Sequence, residues 1–158
     1  MAGQAGARPP RARRSPPRPS VRLWLPSQTD FLALVREVSR RSAELAGFDA
    51  ASAERVALAV DEATTNVIEH AYHGDPGQRM ELRFEDLGPE LRVDVVDTGA
   101  RVDPRSFPKV ELDAYVAQRR KGGLGVHLME KIMDSVTFRR SARRNVCCLV
   151  KRKGTGSP

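Results

Sequence analysis

The chain is poor in cysteine, has no long apolar run and carries no Walker-type phosphate loop. Among its 158 residues are two cysteines, the neighbours Cys147 and Cys148. Adjacent residues of a strand point to opposite faces, so the pair offers neither a disulfide framework nor a metal site. They read as strand filler in a reducing compartment. No apolar stretch approaches a membrane span, and no apolar segment of the secretory kind follows the N-terminal arginines. The expectation is a soluble, cytoplasmic protein without membrane attachment. No Gly-x-x-x-x-Gly-Lys-Ser/Thr occurs, which excludes a P-loop cradle for phosphates, and no internal repeat is present.

Acidic residues are missing from the N-terminal segment. Arg8, Arg11, Arg13, Arg14, Arg18 and Arg22 account for six of the seven net positive charges. The remainder is close to neutral, which is not the electrostatic footprint of a domain that binds nucleic acid directly and specifically. Residues 1–20 are Pro, Arg, Ala and Gly with little apolar bulk to repay the entropy of ordering, and we expect a disordered tail there. Pro9-Pro10 and Pro16-Pro17 would interrupt the amphipathic helix of a transit peptide. The length suits one domain with a real core. We place it at residues 21–153, followed by a flexible end at 154–158.

What the chain does have is one strongly patterned run, from Val56 to His73. Val56, Val60, Ala63, Val67 and Ala71 recur at spacings of four and three and lay an apolar stripe along an amphipathic helix. At about 100° per residue, Glu62, Asn66, Glu69 and His73 share a sector of roughly 60° at the edge of that stripe. Taken alone, such residues are those of any solvated helix. At a half-buried edge, however, a carboxamide one turn from a carboxylate can offer a neutral oxygen to Mg²⁺ beside a proton acceptor.

The rest of the chain alternates between short elements. Val21, Leu23 and Leu25 have the period of a half-buried strand that Pro26 ends. Ser27 or Asp30 can cap a helix with Phe31, Leu34, Val35, Val38 and Leu45 as apolar positions and Gly47 as its stop. Met80, Leu82 and Phe84, a Leu87-to-Glu90 turn, then Leu91, Val93 and Val95 predict an antiparallel hairpin. Asp97 shares the parity of the second strand's apolar residues, so a carboxylate faces the core just before Thr98-Gly99. Burying it alone is costly, and it needs a partner.

Arg101 to Lys121 is polar and broken by prolines, and its length suggests a functional lid. Gly122-Gly123-Leu124-Gly125 then opens a helix expected to bury Leu124, Leu128, Ile132 and Val136. Glycines at a helix start let backbone N–H groups approach an anion. Thr137 to Lys153 reads as two strands joined near Ser141 to Arg144, with Val146, Cys148 and Val150 of one parity.

Glu62-x-x-x-Asn66, Asp97-x-Gly99 and Gly122-Gly123-Leu124-Gly125, in that order, resemble the nucleotide-binding boxes of the GHKL ATPase and kinase superfamily. The segments Val60 to Tyr72 and Lys121 to Asp134 resemble the asparagine box and second glycine box of bacterial anti-sigma-factor serine kinases. The resemblance covers about Val21 to Lys153 and implies a Bergerat-type fold. This is an α+β two-layer sandwich, a mixed and mostly antiparallel sheet with about three helices on one face.

By the same resemblance, ATP and Mg²⁺ are the cofactors. Asn66 is the metal ligand, Glu62 the general base, and Lys121 the catalytic cation at the γ-phosphate. Asp97 receives the adenine amino group, with Gly99 leaving room for the base. Gly123, Leu124 and Gly125 belong to the phosphate-binding turn, and His70 lies where related kinases carry a phosphate-contacting basic residue. The implied function is an anti-sigma factor that phosphorylates a serine of a STAS-type anti-anti-sigma protein and sequesters a sigma factor, as a homodimer. Two positions depart from the pattern. Arg101 replaces the second glycine of Asp-x-Gly-x-Gly, and Asn145-Val146 stands where many relatives carry Gly-Thr, removing a hydroxyl from the adenine site. These departures motivate an alternative, a protein-binding regulatory module that is gated by nucleotide or independent of it and has no kinase activity.

Overall fold

The structure, a computed structural model, describes residues 20–101 and 124–154. Residues 1–19 of the expected tail, the lid from residue 102, Lys121, Gly122, Gly123 and the chain end from residue 155 lie outside the described residues, as does the side chain of Leu124.

The first strand, β1 (Ser20–Pro26), lies at one edge of a five-stranded sheet. A 3-10 turn at Thr29–Phe31 leads into α1 (Leu32–Leu45). Neither Ser27 nor Asp30 caps it: among the described residues no side chain caps the 3-10 turn or α1, and the Ser27 hydroxyl is buried without a hydrogen-bond partner. The extra turn displaces the helix start beyond the reach of either residue. Leu34 and Leu45 are exposed, Val35 is buried as expected, and Ser39, Ser42 and Ala43 fill the rest of the buried face. Small residues suit the close approach of α2, whose facing side is rich in alanine. The Ser39 hydroxyl is satisfied within its own helix, donating to the Val35 carbonyl at 2.6 Å.

The helix α2 (Ala50–Asn66) starts at Asp49, whose carboxylate accepts from the Ser52 N–H at 2.9 Å. Such a cap contributes ~1 kcal/mol. Val56, Val60 and Ala63 are buried as their spacing predicts. Immediately after Asn66 the helix widens into a π turn, Val67–Ala71, closed by Tyr72 N–H donating to the Val67 carbonyl at 3.0 Å. The Gly74 N–H caps it on the Ile68 carbonyl at 2.8 Å, and Val67, Ile68, Ala71 and Tyr72 are all buried.

The hairpin forms as expected, from β2 (Arg79–Asp86) and β3 (Glu90–Asp97). A helix α3 (Leu124–Ile132) precedes β4 (Ser135–Ser141) and β5 (Arg144–Arg152). The strand order is β1-β2-β3-β5-β4, with each pair antiparallel. This is the α+β architecture anticipated above.

Met80, Leu82, Phe84, Leu91, Val93, Val95, Cys147 and Leu149 share the face that packs into the helices' apolar core. Each large side chain so buried contributes ~1.5–3 kcal/mol. The parity of Val146, Cys148 and Val150 is the other face, where Arg83 pairs with Glu81 and Arg92 with Asp94. The two cysteines do point to opposite faces. Burial pushes the Cys147 thiol up to about 12, so it stays protonated and inert.

The buried stripe is Val126 and Met129 on α3, continued by Met133 just past its end, rather than the set expected from Leu124. Both sets have helical spacing, and Leu128 and Ile132 are only half-buried on its flank. Val136 belongs to β4.

Candidate active site

The α2 stripe fixes how Glu62 and Asn66 are presented. With Val60, Ala63 and Val67 anchored in the core, both polar side chains fall at its half-buried edge. The start of α3 lies against them. A methyl group placed on Gly125 would stand 2.7 Å from Glu62 Oε2, 3.4 Å from Asn66 Nδ2 and 3.5 Å from Asn66 Oδ1. Three residues separated by up to 63 positions therefore share one small space, which only a glycine at 125 leaves open.

Burial drives the Glu62 carboxyl above the usual glutamate range, and the neighbouring Asp61 and Glu69 charges add to this, opposed by Arg36. A carboxylate made reluctant to ionise in this way is a better proton acceptor than a solvated one. Arg36 reaches Asp61 from α1, Nη2 to Oδ2, at 2.5 Å. Among the described residues, Asp61 Oδ1 and Asn66 Nδ2 are buried with no hydrogen-bond partner. A buried amide left open in this way has hydrogen-bonding capacity for a further polar group.

The second cluster lies at the end of β3. Asp97 is buried, as its parity required, and burial lifts its carboxyl above the usual aspartate range. Its Oδ1 accepts from Gly99 N–H at 2.8 Å and from Asn145 Nδ2 at 2.8 Å. These are its hydrogen bonds among the described residues, so Oδ2 keeps its lone pairs. Gly99 is pressed onto the π turn: a methyl there would lie 2.7 Å from the Ala71 carbonyl carbon and 2.8 Å from Tyr72 Cδ1. Tyr72 ties the parts together, its hydroxyl donating to Arg79 O at 2.6 Å and accepting from Thr98 N–H at 3.0 Å. The Ala71 carbonyl accepts from Ala100 N–H at 2.9 Å.

The two clusters thus hang on the two ends of one segment, residues 62–72. Glu62, Asn66 and Gly125 meet at one end, and Asp97 and Gly99 dock at the other. His70 lies half-buried on the π turn between them. Lys121, Gly123 and the Leu124 side chain fall outside the described residues. Arg101 is exposed. Three participants went unnoticed in the sequence: the Ala71 carbonyl, Tyr72 as a bridge, and Asn145 as the partner Asp97 needs. The last follows from the β3–β5 register, which sets Asp97 opposite Asn145.

Comparison with known proteins places this arrangement. The family described as histidine kinase-like ATPase domain matches residues 25–151. The chain belongs to that family. Within the histidine kinase-like ATPases it is similar to serine-protein kinase RsbW of Bacillus subtilis, with 31% identity over 73% of this chain and 75% of the relative. The RsbW of Bacillus licheniformis is 32% identical over 73% of this chain and 75% of its own length. Among solved structures, a Mycobacterium tuberculosis protein containing RsbU and RsbW domains matches 85% of this chain with a TM-score of 0.58 and 18% identity. This chain spans 32% of that one, and the likeness concerns the fold. Among the described residues no helix is long and apolar enough to cross a membrane.

Proposed function

We propose that the protein is an ATP-dependent serine-protein kinase of the RsbW type, an anti-sigma factor that phosphorylates a serine of a STAS-type anti-anti-sigma protein and otherwise holds a sigma factor. The observation that carries this reading is the meeting of Glu62, Asn66 and Gly125 in one polar space. Phosphoryl transfer asks a protein chiefly for positioning and charge neutralisation, and the helix α3 begins where a triphosphate can lie against its N-terminal backbone.

In this reading Asp97 Oδ2 accepts the adenine amino group, and the tight seat of Gly99 on the π turn fixes the backbone beside the base. Glu62 takes the proton of the attacking seryl hydroxyl, a role suited to a carboxylate whose affinity for protons is raised by burial. Asn66 Oδ1 is the protein oxygen for Mg²⁺, which when bound would neutralise phosphate charge. Among the described residues no three His, Cys, Asp or Glu side chains gather as a metal cage. One carboxamide joined by phosphate oxygens and waters is the coordination Mg²⁺ accepts readily. His70, Lys121, Gly123, Leu124 and Gly125 complete the phosphate-binding side, and the protein works as a cytoplasmic homodimer.

The test is to incubate the full chain with Mg²⁺, γ-labelled ATP and the candidate antagonist proteins encoded beside it. Label on a seryl residue of one of them is the expected result. Nucleotide binding without any transfer would favour the regulatory-module reading instead.

A further inference from the structure

Asn145 does more than fill a strand position. Its backbone pairs with Asp97 across β3 and β5, while its amide crosses the same step. Nδ2 donates to Asp97 Oδ1 at 2.8 Å and to the Gly99 carbonyl at 3.1 Å, so both amide protons are used. Gly99 N–H reaches the same Oδ1 at 2.8 Å, closing a ring through Asp97, Gly99 and Asn145. Among the described residues, two donors converge on one carboxylate oxygen and leave the other uncommitted. A carboxylate held this way has a fixed rotation and a single outward acceptor.

We propose that Asn145 is a positioning residue that sets nucleobase specificity, locking Asp97 so that Oδ2 is presented as an acceptor for a purine 6-amino group. The proposal rests on the ATP reading above. A free carboxyl on a buried strand end can rotate, or take up a proton and turn one oxygen into a donor, and it then accommodates a 6-keto purine as readily as a 6-amino one. The clamp opposes both options: rotation would break the hydrogen bonds from Gly99 and Asn145, and the two donors favour the charged carboxylate over the protonated one. Val146, the next residue, lies on the opposite face of the sheet, so the orienting donor at this end of β5 is Asn145 itself.

Binding of ATP and of inosine triphosphate, which carries a keto oxygen in place of the amine, tests this on the full-length protein. Asn145→Ala keeps the backbone pairing and removes the clamp, and Asn145→Ser restores one donor. The native protein should prefer ATP. Asn145→Ala should lose that preference by about ten- to a hundredfold, the worth of a hydrogen bond to a charged group. The loss should fall on ATP, with affinity for inosine triphosphate nearly unchanged, and Asn145→Ser should recover part of it. Equal weakening of both nucleotides in a variant that melts like the native protein would make Asn145 merely structural and overturn the proposal. If the native protein binds ATP and the preference survives in Asn145→Ala, the proposal alone fails. If the native protein binds neither nucleotide, the ATP reading fails and takes the proposal with it.

Discussion

Gly125 is seated directly against Glu62, so close that a single methyl group on the glycine would stand 2.7 Å from Oε2. The relationship joins the start of α3 to the middle of α2, and it separates what the fold needs from what the chemistry needs. Gly125→Ala should leave stability about unchanged. The ~1 kcal/mol gained by alanine in a helix offsets the displacement of one flexible side chain. Transfer to serine should fall by about a hundredfold, because Glu62 is pushed from its place. Parallel melting and phosphorylation assays check both halves.

Gly99 is tight for a different reason. Its neighbours are the Ala71 carbonyl and the Tyr72 ring, backbone and buried aromatic, and neither can swing away. Gly99→Ala should therefore destabilise the fold by ~1–3 kcal/mol, the usual cost of overpacking. Chemical denaturation measures this, and a variant as stable as the native protein would place the β3 end away from the π turn.

Arg36 acts on Glu62 at one remove. Its charge opposes the burial and the acidic neighbours that raise the Glu62 carboxyl. Catalysis by ionised Glu62 is lost as pH falls through this raised value, so the acid limb of transfer should lie above the ordinary glutamate value of 4.5. Arg36→Ala should move the limb further up in pH. It should also cost ~1 kcal/mol of stability, a modest figure because the arginine is half exposed, since Asp61 loses its ion pair. A pH–rate profile of the variant beside the native protein reads the first effect directly.

Much of this site was legible in the residues themselves. The 3–4 spacing of Val56 to Ala71 locates α2 and the edge on which Glu62 and Asn66 sit, and strand parity by itself turns Asp97 inward. Each signal is local and periodic. What was hidden depends on contacts distant in sequence or on small departures from ideal helices. The start of α1 moved because a 3-10 turn intervenes, and the face of α3 was ambiguous because nine residues hold two overlapping apolar stripes. The π turn leaves no periodic mark, since Val67, Ile68 and Ala71 are apolar in either geometry. Asn145 becomes a partner for Asp97 only when β5, forty-eight residues on, is known to pair with β3.

If Glu62 is the base of a phosphoryl transfer rather than a surface carboxylate, Glu62→Gln should separate binding from chemistry. Because folding raises the Glu62 carboxyl, its ionised form costs stability at neutral pH. That cost disappears as pH falls through the raised value to the ordinary one. The glutamine variant should then be the more stable protein at neutral pH, with the difference closing in acid. The decisive measurement sets calorimetric titration with Mg-ATP beside labelled transfer to serine for native protein and variant. The variant should retain nucleotide binding, with transfer reduced by ~10²–10⁴-fold. Transfer at the native rate, or loss of nucleotide binding in a folded variant, would contradict Glu62 as the base.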